Sequence, residues 1–328
     1  MQQSNTHRGT VVILATGGTI AGVGDEGKTT GYRPGTIDVN TLVRAVPWLE
    51  RVANIETLQM CNLNSDDITD VIWLRLVETI NRLAMRPDVR GFVITHGTDT
   101  LEETAYFLNL TVKTEKPVVL TGSMRPATSI SPDGPMNLYQ SVCVAASPKA
   151  VGMGVLAVFS DRIYSARSVK KNSTYHVTAI SAGEMGAMGL IRDGEVYIYE
   201  KPARLHTIYS EFDVATVKRL PRVSVLYFSV DADPELLNFA AHRADGIVIA
   251  GAGAGGFSLE YMERVSKLTV PVVVSSRIDD GIITYGDVLC KNAVASNSLP
   301  PQKAAILLRL ALTRTADYDA LVEMFEKY

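Results

Sequence analysis

Two short threonine-bearing stretches hold the groups of this chain best suited to chemistry: Thr16-Gly17-Gly18-Thr19-Ile20-Ala21-Gly22 and Thr95-His96-Gly97-Thr98-Asp99-Thr100. Each follows an apolar run that reads as a strand, Val11-Val12-Ile13-Leu14-Ala15 before the first and Gly91-Phe92-Val93-Ile94 before the second. In an open parallel sheet, ligands sit in the crevice outside the carboxyl ends of the strands. Glycines there let the main chain approach a ligand closely, and hydroxyls supply a nucleophile and hydrogen-bond partners. Either stretch alone reads as a helix cap. The two together, both flanked by glycines, point to a single site.

A threonine hydroxyl is a weak nucleophile at neutral pH and needs a base or a cation beside it. Asp99, directly after Thr98, and the pair Lys170-Lys171 are the candidates. A lysine desolvated next to a hydroxyl is driven toward its neutral, proton-accepting form. Nothing in the spacing brings Lys171 to Thr98; only the fold does that. His96 reads as a packed residue supporting its loop in preference to a general base.

Asn64-Ser65-Asp66-Asp67 reads as the cap of the helix that follows it, or equally as a recognition point for an α-amino or α-carboxylate group. Gly251-Ala252-Gly253-Ala254-Gly255-Gly256 has the glycine spacing of a dinucleotide-binding loop. That motif also asks for an acid at the end of the next strand to hold the ribose. Here the next strand ends in Ser275-Ser276-Arg277, with acids only at Asp279-Asp280. Close backbone approach to a ligand or a partner subunit accounts for these glycines equally well, and no cofactor is expected.

The elements that must position these groups alternate. Ile72, Leu76, Ile80 and Leu83 form an apolar stripe at helical spacing, closed by Pro87. A helix over 101–112, a strand over 117–121, a helix starting at Pro135 with Asp133 as its cap, and a strand over 154–159 follow. Two short strands flank the turn Arg192-Asp193-Gly194. Further strands are expected at 223–228, 246–250 and 270–274, with helices over 234–243, 258–267 and, last in the chain, 302–312. Such alternation predicts an α/β fold: two open, mainly parallel α/β domains, the larger N-terminal one flavodoxin- or Rossmann-like. The expected division is 1–200 for the first domain, 201–221 for a connector and 222–328 for the second. The polar stretch from Gly22 to Gly35 reads as a mobile loop.

With 328 residues, 46% hydrophobic and 20% charged, the chain has the composition of an ordinary globular protein and enough length for two domains. A net charge of −3 gives no basic footprint for nucleic acid, and no apolar run reaches the length of a membrane span. The five histidines show no ligand spacing, and Cys61, Cys143 and Cys290 form neither a metal pattern nor a disulfide framework, so no metal is expected. The cysteines favour a reducing, cytoplasmic compartment, and a periplasmic one is the expectation if a signal segment has been removed.

Leu14 to Gly22 and Ile94 to Thr104 closely resemble the two signatures of bacterial L-asparaginases. The likeness continues through Gly122-Ser123-Met124-Arg125-Pro126, Ser131 to Leu138 and the tail 307–314, and is greatest to the tetrameric, high-affinity type II group. It implies that L-asparagine, or L-glutamine in a broader enzyme, is hydrolysed without metal or organic cofactor. Thr19 would attack the side-chain amide and carry a β-aspartyl ester, with Tyr32 closing over the substrate. Thr98, Asp99 and Lys171 match the second cluster, in which Lys171 assists proton transfer through Thr98 and Asp99 pairs with the substrate ammonium. The Thr98 N–H would face the developing oxyanion. Ser65 would bind the α-carboxylate and the Ser123 carbonyl would receive the leaving nitrogen.

Three positions depart from that pattern. Asp66 stands where relatives often have glutamine, and Gly256 stands where a neighbouring subunit usually offers a side chain. Asp287 is the nearest match to that subunit's glutamate. The resemblance also implies a homotetramer built as a dimer of dimers, with sites completed across an interface. A non-catalytic amide sensor, an amidotransferase subunit and a nicotinamide enzyme using the glycine loop remain as other classes.

Overall fold

The structure is a computed structural model that describes residues 9–24 and 37–328. Tyr32 and most of the stretch expected as a mobile loop lie outside the described residues. The chain divides into two compact units, 1–215 and 216–328.

Ten strands belong to the described residues of the first unit. They are β1 (Thr10–Gly17), β2 (Asn54–Leu63), β3 (Val89–Thr95), β4 (Val118–Thr121), β5 (Val155–Phe159), β6 (Arg162–Ser165), β7 (Lys170–Lys171), β8 (Ile180–Ser181), β9 (Gly189–Arg192) and β10 (Glu195–Ile198). Eight of them form one sheet in the order β10-β9-β6-β5-β4-β3-β1-β2, while β7 and β8 pair separately. From β5 to β2 every pairing is parallel, and from β5 to β10 every pairing is antiparallel. Parallel strands need long crossovers, and α3 (Asp70–Ala84), α4 (Leu101–Thr111) and α5 (Gly134–Ala146) supply them.

Burial explains which strands were legible. All eight residues of β1 are buried, as a central strand covered on both faces requires, and Val11 to Ala15 within it is a continuous apolar run. β2 is an edge strand, half-buried along its ten residues, and its mixed sequence carries no strand signature. It was not expected, nor were the short helices α1 (Val39–Arg44) and α2 (Leu49–Val52). The turn at Asp193-Gly194 is as expected, with φ of 53° and 81° at its two central residues.

The stripe on α3 faces inward through Trp73, Leu76, Val77, Ile80 and Leu83. Residues Asn64 to Asp67 do not cap this helix. Ser65–Asp67 form a separate 3-10 turn, and the α3 cap position is Thr69. Residues 201–215 pack onto the first unit: Lys113 Nζ donates to the Ser210 carbonyl at 2.7 Å, and Ser210 Oγ donates to Leu110 O at 2.6 Å.

The second unit holds a parallel sheet of β11 (Val223–Tyr227), β12 (Gly246–Gly251), β13 (Val272–Ser276) and β14 (Ala293–Ala295), in that order. Its helices are α6 (Glu235–Ala241), α7 (Leu259–Val265), α8 (Pro301–Ala311) and α9 (Tyr318–Lys327). Both units are thus α/β, the larger one with a mixed, mainly parallel sheet. The chain does not end its helices at 312. α9 follows, amphipathic and anchored by Leu321, Met324 and Phe325, its N-terminus capped by Asp317. No helix among the described residues is long and apolar enough to cross a membrane.

Candidate active site

Neighbouring parallel strands release their loops on the same side of a sheet, so the carboxyl ends of β2, β1, β3 and β4 present four loops together. The β1 loop turns abruptly at Gly17 and Gly18, with φ of 111° and 80°, values that side-chain-bearing residues rarely adopt. Gly18 N donates to Leu63 O at 3.0 Å, stitching this turn to the end of β2. A 3-10 turn over Thr19–Ala21 follows, with Thr19 buried.

The β3 loop is tied to its neighbours on both sides. Thr16 Oγ1 donates to Thr95 O at 2.9 Å, and His96 N donates to Thr121 O at 2.8 Å. Thr100 Oγ1 donates to Ser65 O at 2.7 Å, which draws the 3-10 turn of Ser65 against the same loop. A β-carbon placed on Gly97 would lie 2.8 Å from Ser65 Oγ, so the two backbones are in close contact. Thr19, Thr98 and Ser65 therefore lie on loops that touch.

Lys171 joins them from a distant part of the chain. Its Nζ donates to Thr98 Oγ1 at 2.9 Å and to Asp99 Oδ1 at 2.5 Å. The lysine side chain is 17% exposed and the aspartate 55% exposed, so the ion pair sits at the mouth of the loop with its cation inward. A lysine held against a threonine hydroxyl favours the deprotonated oxygen when charged and can take its proton when neutral. Sequence reasoning missed the anchor of this lysine: the buried Glu102 accepts from Lys171 N at 2.7 Å. An acid in the first turn of a helix is ordinarily explained by the helix dipole, which hides a tertiary role.

Ser123 is fully buried on the β4 loop, its Oγ donating to Arg125 O at 2.9 Å. A β-carbon on the preceding Gly122 would lie 3.3 Å from the Thr98 methyl, so this loop also abuts Thr98. Asp133 was expected to cap α5, but makes no side-chain cap bond. Its carboxylate accepts from Met124 N and Arg125 N, both at 2.9 Å, and holds the Ser123 loop instead. Asn137 Nδ2 completes the clamp, donating to Gly122 O and to Asp133 Oδ2, each at 3.1 Å.

Asp66 is exposed and accepts from Asn64 Nδ2 at 3.0 Å. Cys61 is a half-buried free thiol, its Sγ 3.3 Å from Thr16 O, and burial pushes its pKa up. Asp287 lies in the second unit, where it accepts from Thr284 N at 2.8 Å and Thr284 Oγ1 at 2.7 Å, and these bonds lower its pKa. The glycines from 251 to 256 close on themselves in a small turn, with Ala252 N and Gly256 N each donating to the other residue's carbonyl, at 2.8 and 2.7 Å. α7 begins beyond that turn, its N-terminus capped by Ser258. Among the described residues no cluster of histidine, cysteine or acidic side chains is arranged to hold a metal ion.

The chain is similar to known proteins along nearly its whole length. A family model described as "Asparaginase, N-terminal" matches residues 10–204, and one described as "Glutaminase/Asparaginase C-terminal domain" matches 222–325. A protein of Haemophilus influenzae named "Probable L-asparaginase periplasmic" is 44% identical, over 97% of this chain and 93% of its own length. "L-asparaginase 2" of Bacillus subtilis is 46% identical, over 96% of this chain and 86% of its own. The crystal structure of "Probable Cytoplasmic L-asparaginase" from Campylobacter jejuni superimposes with a TM-score of 0.93 at 42% identity, covering 98% of this chain and all of that one. With family models over residues 10–204 and 222–325, and relatives 44% and 46% identical over nearly all of it, this chain belongs to the asparaginase family.

Proposed function

We propose that this chain hydrolyses the side-chain amide of L-asparagine to L-aspartate and ammonia. The observation that carries the reading is the cluster of Lys171, Thr98 and Asp99, set on a loop whose Gly97 abuts the Gly18 that precedes Thr19. Thr19 Oγ attacks the amide carbon, and its proton leaves through the hydroxyls and Lys171. The carbonyl oxygen becomes an oxyanion facing the Thr98 N–H, a donor fixed before the reaction begins. Collapse returns that proton to the nitrogen, which leaves as ammonia past the Ser123 carbonyl, and a β-aspartyl ester remains on Thr19. Water then cleaves the ester. Asp99 takes the substrate ammonium and Ser65 its α-carboxylate, while Tyr32 closes over them.

The first domain carries this machinery in our reading, and the second completes the site of a neighbouring subunit through the regions of Gly256 and Asp287. We take the assembly to be a homotetramer, a dimer of dimers, and the exposed Tyr227, Val230 and Leu259 of the second unit support buried contacts between subunits. The three free thiols support a reducing compartment.

Glutamine is the second substrate to weigh, and Asp66 is the reason. Its exposed carboxylate beside the Ser65 turn alters charge and length where a substrate of one extra methylene must be accommodated. The test is ammonia release from L-asparagine and L-glutamine by the wild type and by Thr19→Ala. We expect asparagine turnover that vanishes in the variant. Turnover surviving in Thr19→Ala removes the nucleophile assignment, and no ammonia from either amide removes the enzyme reading.

A further inference from the structure

We propose that His96 is a positioning residue: by holding the Gly97 carbonyl it sets the direction in which the Thr98 N–H points. The inference rests on the amidohydrolase reading, in which that N–H meets the oxyanion.

His96 is fully buried in the loop that carries Thr98 and Asp99, yet its ring bonds neither of them. Nδ1 lies 2.7 Å from Gly97 O, and Nε2 lies 2.9 Å from Thr104 Oγ1. The far side of Thr104 Oγ1 is met by Trp73 Nε1 at 2.8 Å. An indole nitrogen can only donate and a carbonyl can only accept, so both ends of this chain have a determined sense. Trp73 donates to Thr104, the Thr104 hydrogen turns to His96 Nε2, and the His96 proton resides on Nδ1, where Gly97 O receives it. The anchoring end is rigid: Trp73, on α3, stacks on Phe107 of α4 with ring centres 4.8 Å apart.

The consequence lies one bond further on. A trans peptide is planar, with its C=O and N–H pointing in opposite directions. Drawing Gly97 O toward the buried ring therefore aims the Thr98 N–H away from it. That N–H donates to no group among the described residues. The clamp is needed because the peptide follows a glycine, whose backbone resists rotation least. Burial holds the imidazole pKa down at about 4, so the ring stays neutral with its single proton committed to Gly97.

Three variants separate positioning from packing. His96→Leu fills the space without a donor, His96→Asn keeps an N–H near the Nδ1 position, and Thr104→Val removes the hydroxyl that selects the tautomer. We expect His96→Leu and Thr104→Val to lower kcat roughly 10- to 100-fold with KM within about threefold, since a misdirected oxyanion donor acts on the transition state. His96→Asn should restore kcat to within about fivefold of wild type. Equal damage in the Asn and Leu variants, a loss in KM alone, or unchanged kcat overturns the inference. If His96→Leu does not fold, Thr104→Val decides, with far-UV circular dichroism and the urea midpoint reporting that the fold is kept. Wild-type protein that releases no ammonia from asparagine overturns the amidohydrolase reading instead, so the two failures are distinct.

Discussion

Gly18 and Gly97 are in backbone contact: a β-carbon on the first would lie 2.3 Å from the amide nitrogen of the second. Each is the residue immediately before a candidate reactive threonine. The contact arises because β1 and β3 are adjacent parallel strands that end together, with Ala15 opposite Thr95. It makes one site of two motifs that lie about eighty residues apart.

Gly18→Ala tests this contact. The residue combines a φ of 80° with a collision against main chain that cannot swing away. Strain and overlap together should cost about 2 kcal/mol or more. Urea unfolding should show the lowered midpoint, and ammonia release should fall with it. A variant of native stability and full activity would mean that the loops do not need to meet.

The hydroxyls and the lysine should behave as a unit. Thr98→Val and Lys171→Met are each expected to lower kcat by roughly 10²- to 10⁴-fold. The double variant should be little worse than either single one, because groups sharing one proton path are not additive. Steady-state rates for the four proteins close the cycle, and additive losses would place the two residues in separate roles.

Glu102→Gln should be milder, since the amide oxygen can still accept from Lys171 N. Glu102→Ala leaves that N–H without its partner at a half-buried position and lets β7 shift. We expect a kcat loss of roughly tenfold in the alanine variant, reversed in the glutamine one. Equal activity in all three would make Glu102 a bystander.

His96 also predicts a pH dependence of stability. Its pKa falls from 6.5 to about 4 on folding because burial disfavours the charged ring. Between those values the unfolded chain binds a proton that the folded one does not, so stability rises with pH across this window. The contribution is complete above pH 6.5 and is lost as pH falls toward about 4. The full span is worth about 3 kcal/mol. Urea midpoints for wild type and His96→Asn should converge as the pH is lowered through this range. Parallel curves would show that the ring titrates alike in both states.

Asp66→Gln addresses selectivity. Replacing the carboxylate by a neutral amide changes charge and reach beside Ser65. The ratio of kcat/KM for asparagine over glutamine should shift by about 1–3 kcal/mol, or roughly 5- to 150-fold. A ratio that does not move would put discrimination elsewhere.

The α/β alternation, the buried central strands and the threonine loops were all legible in the residues. These features are written locally: β1 is apolar from Val11 to Ala15 because both faces are covered, and glycine precedes Thr19 and Thr98 where backbones must meet. Edge strand β2 was not legible, because half-exposure lets polar residues alternate irregularly with apolar ones. The terminal α9 was overlooked although its stripe and its Asp317 cap were there to be read. What only the tertiary structure decided was which distant groups meet: Lys171 with Thr98, Asp133 with the Ser123 loop, Trp73 with His96 through Thr104. Each pairing depends on strand order and crossover length, and a side chain's type carries no record of the partner to which those bring it.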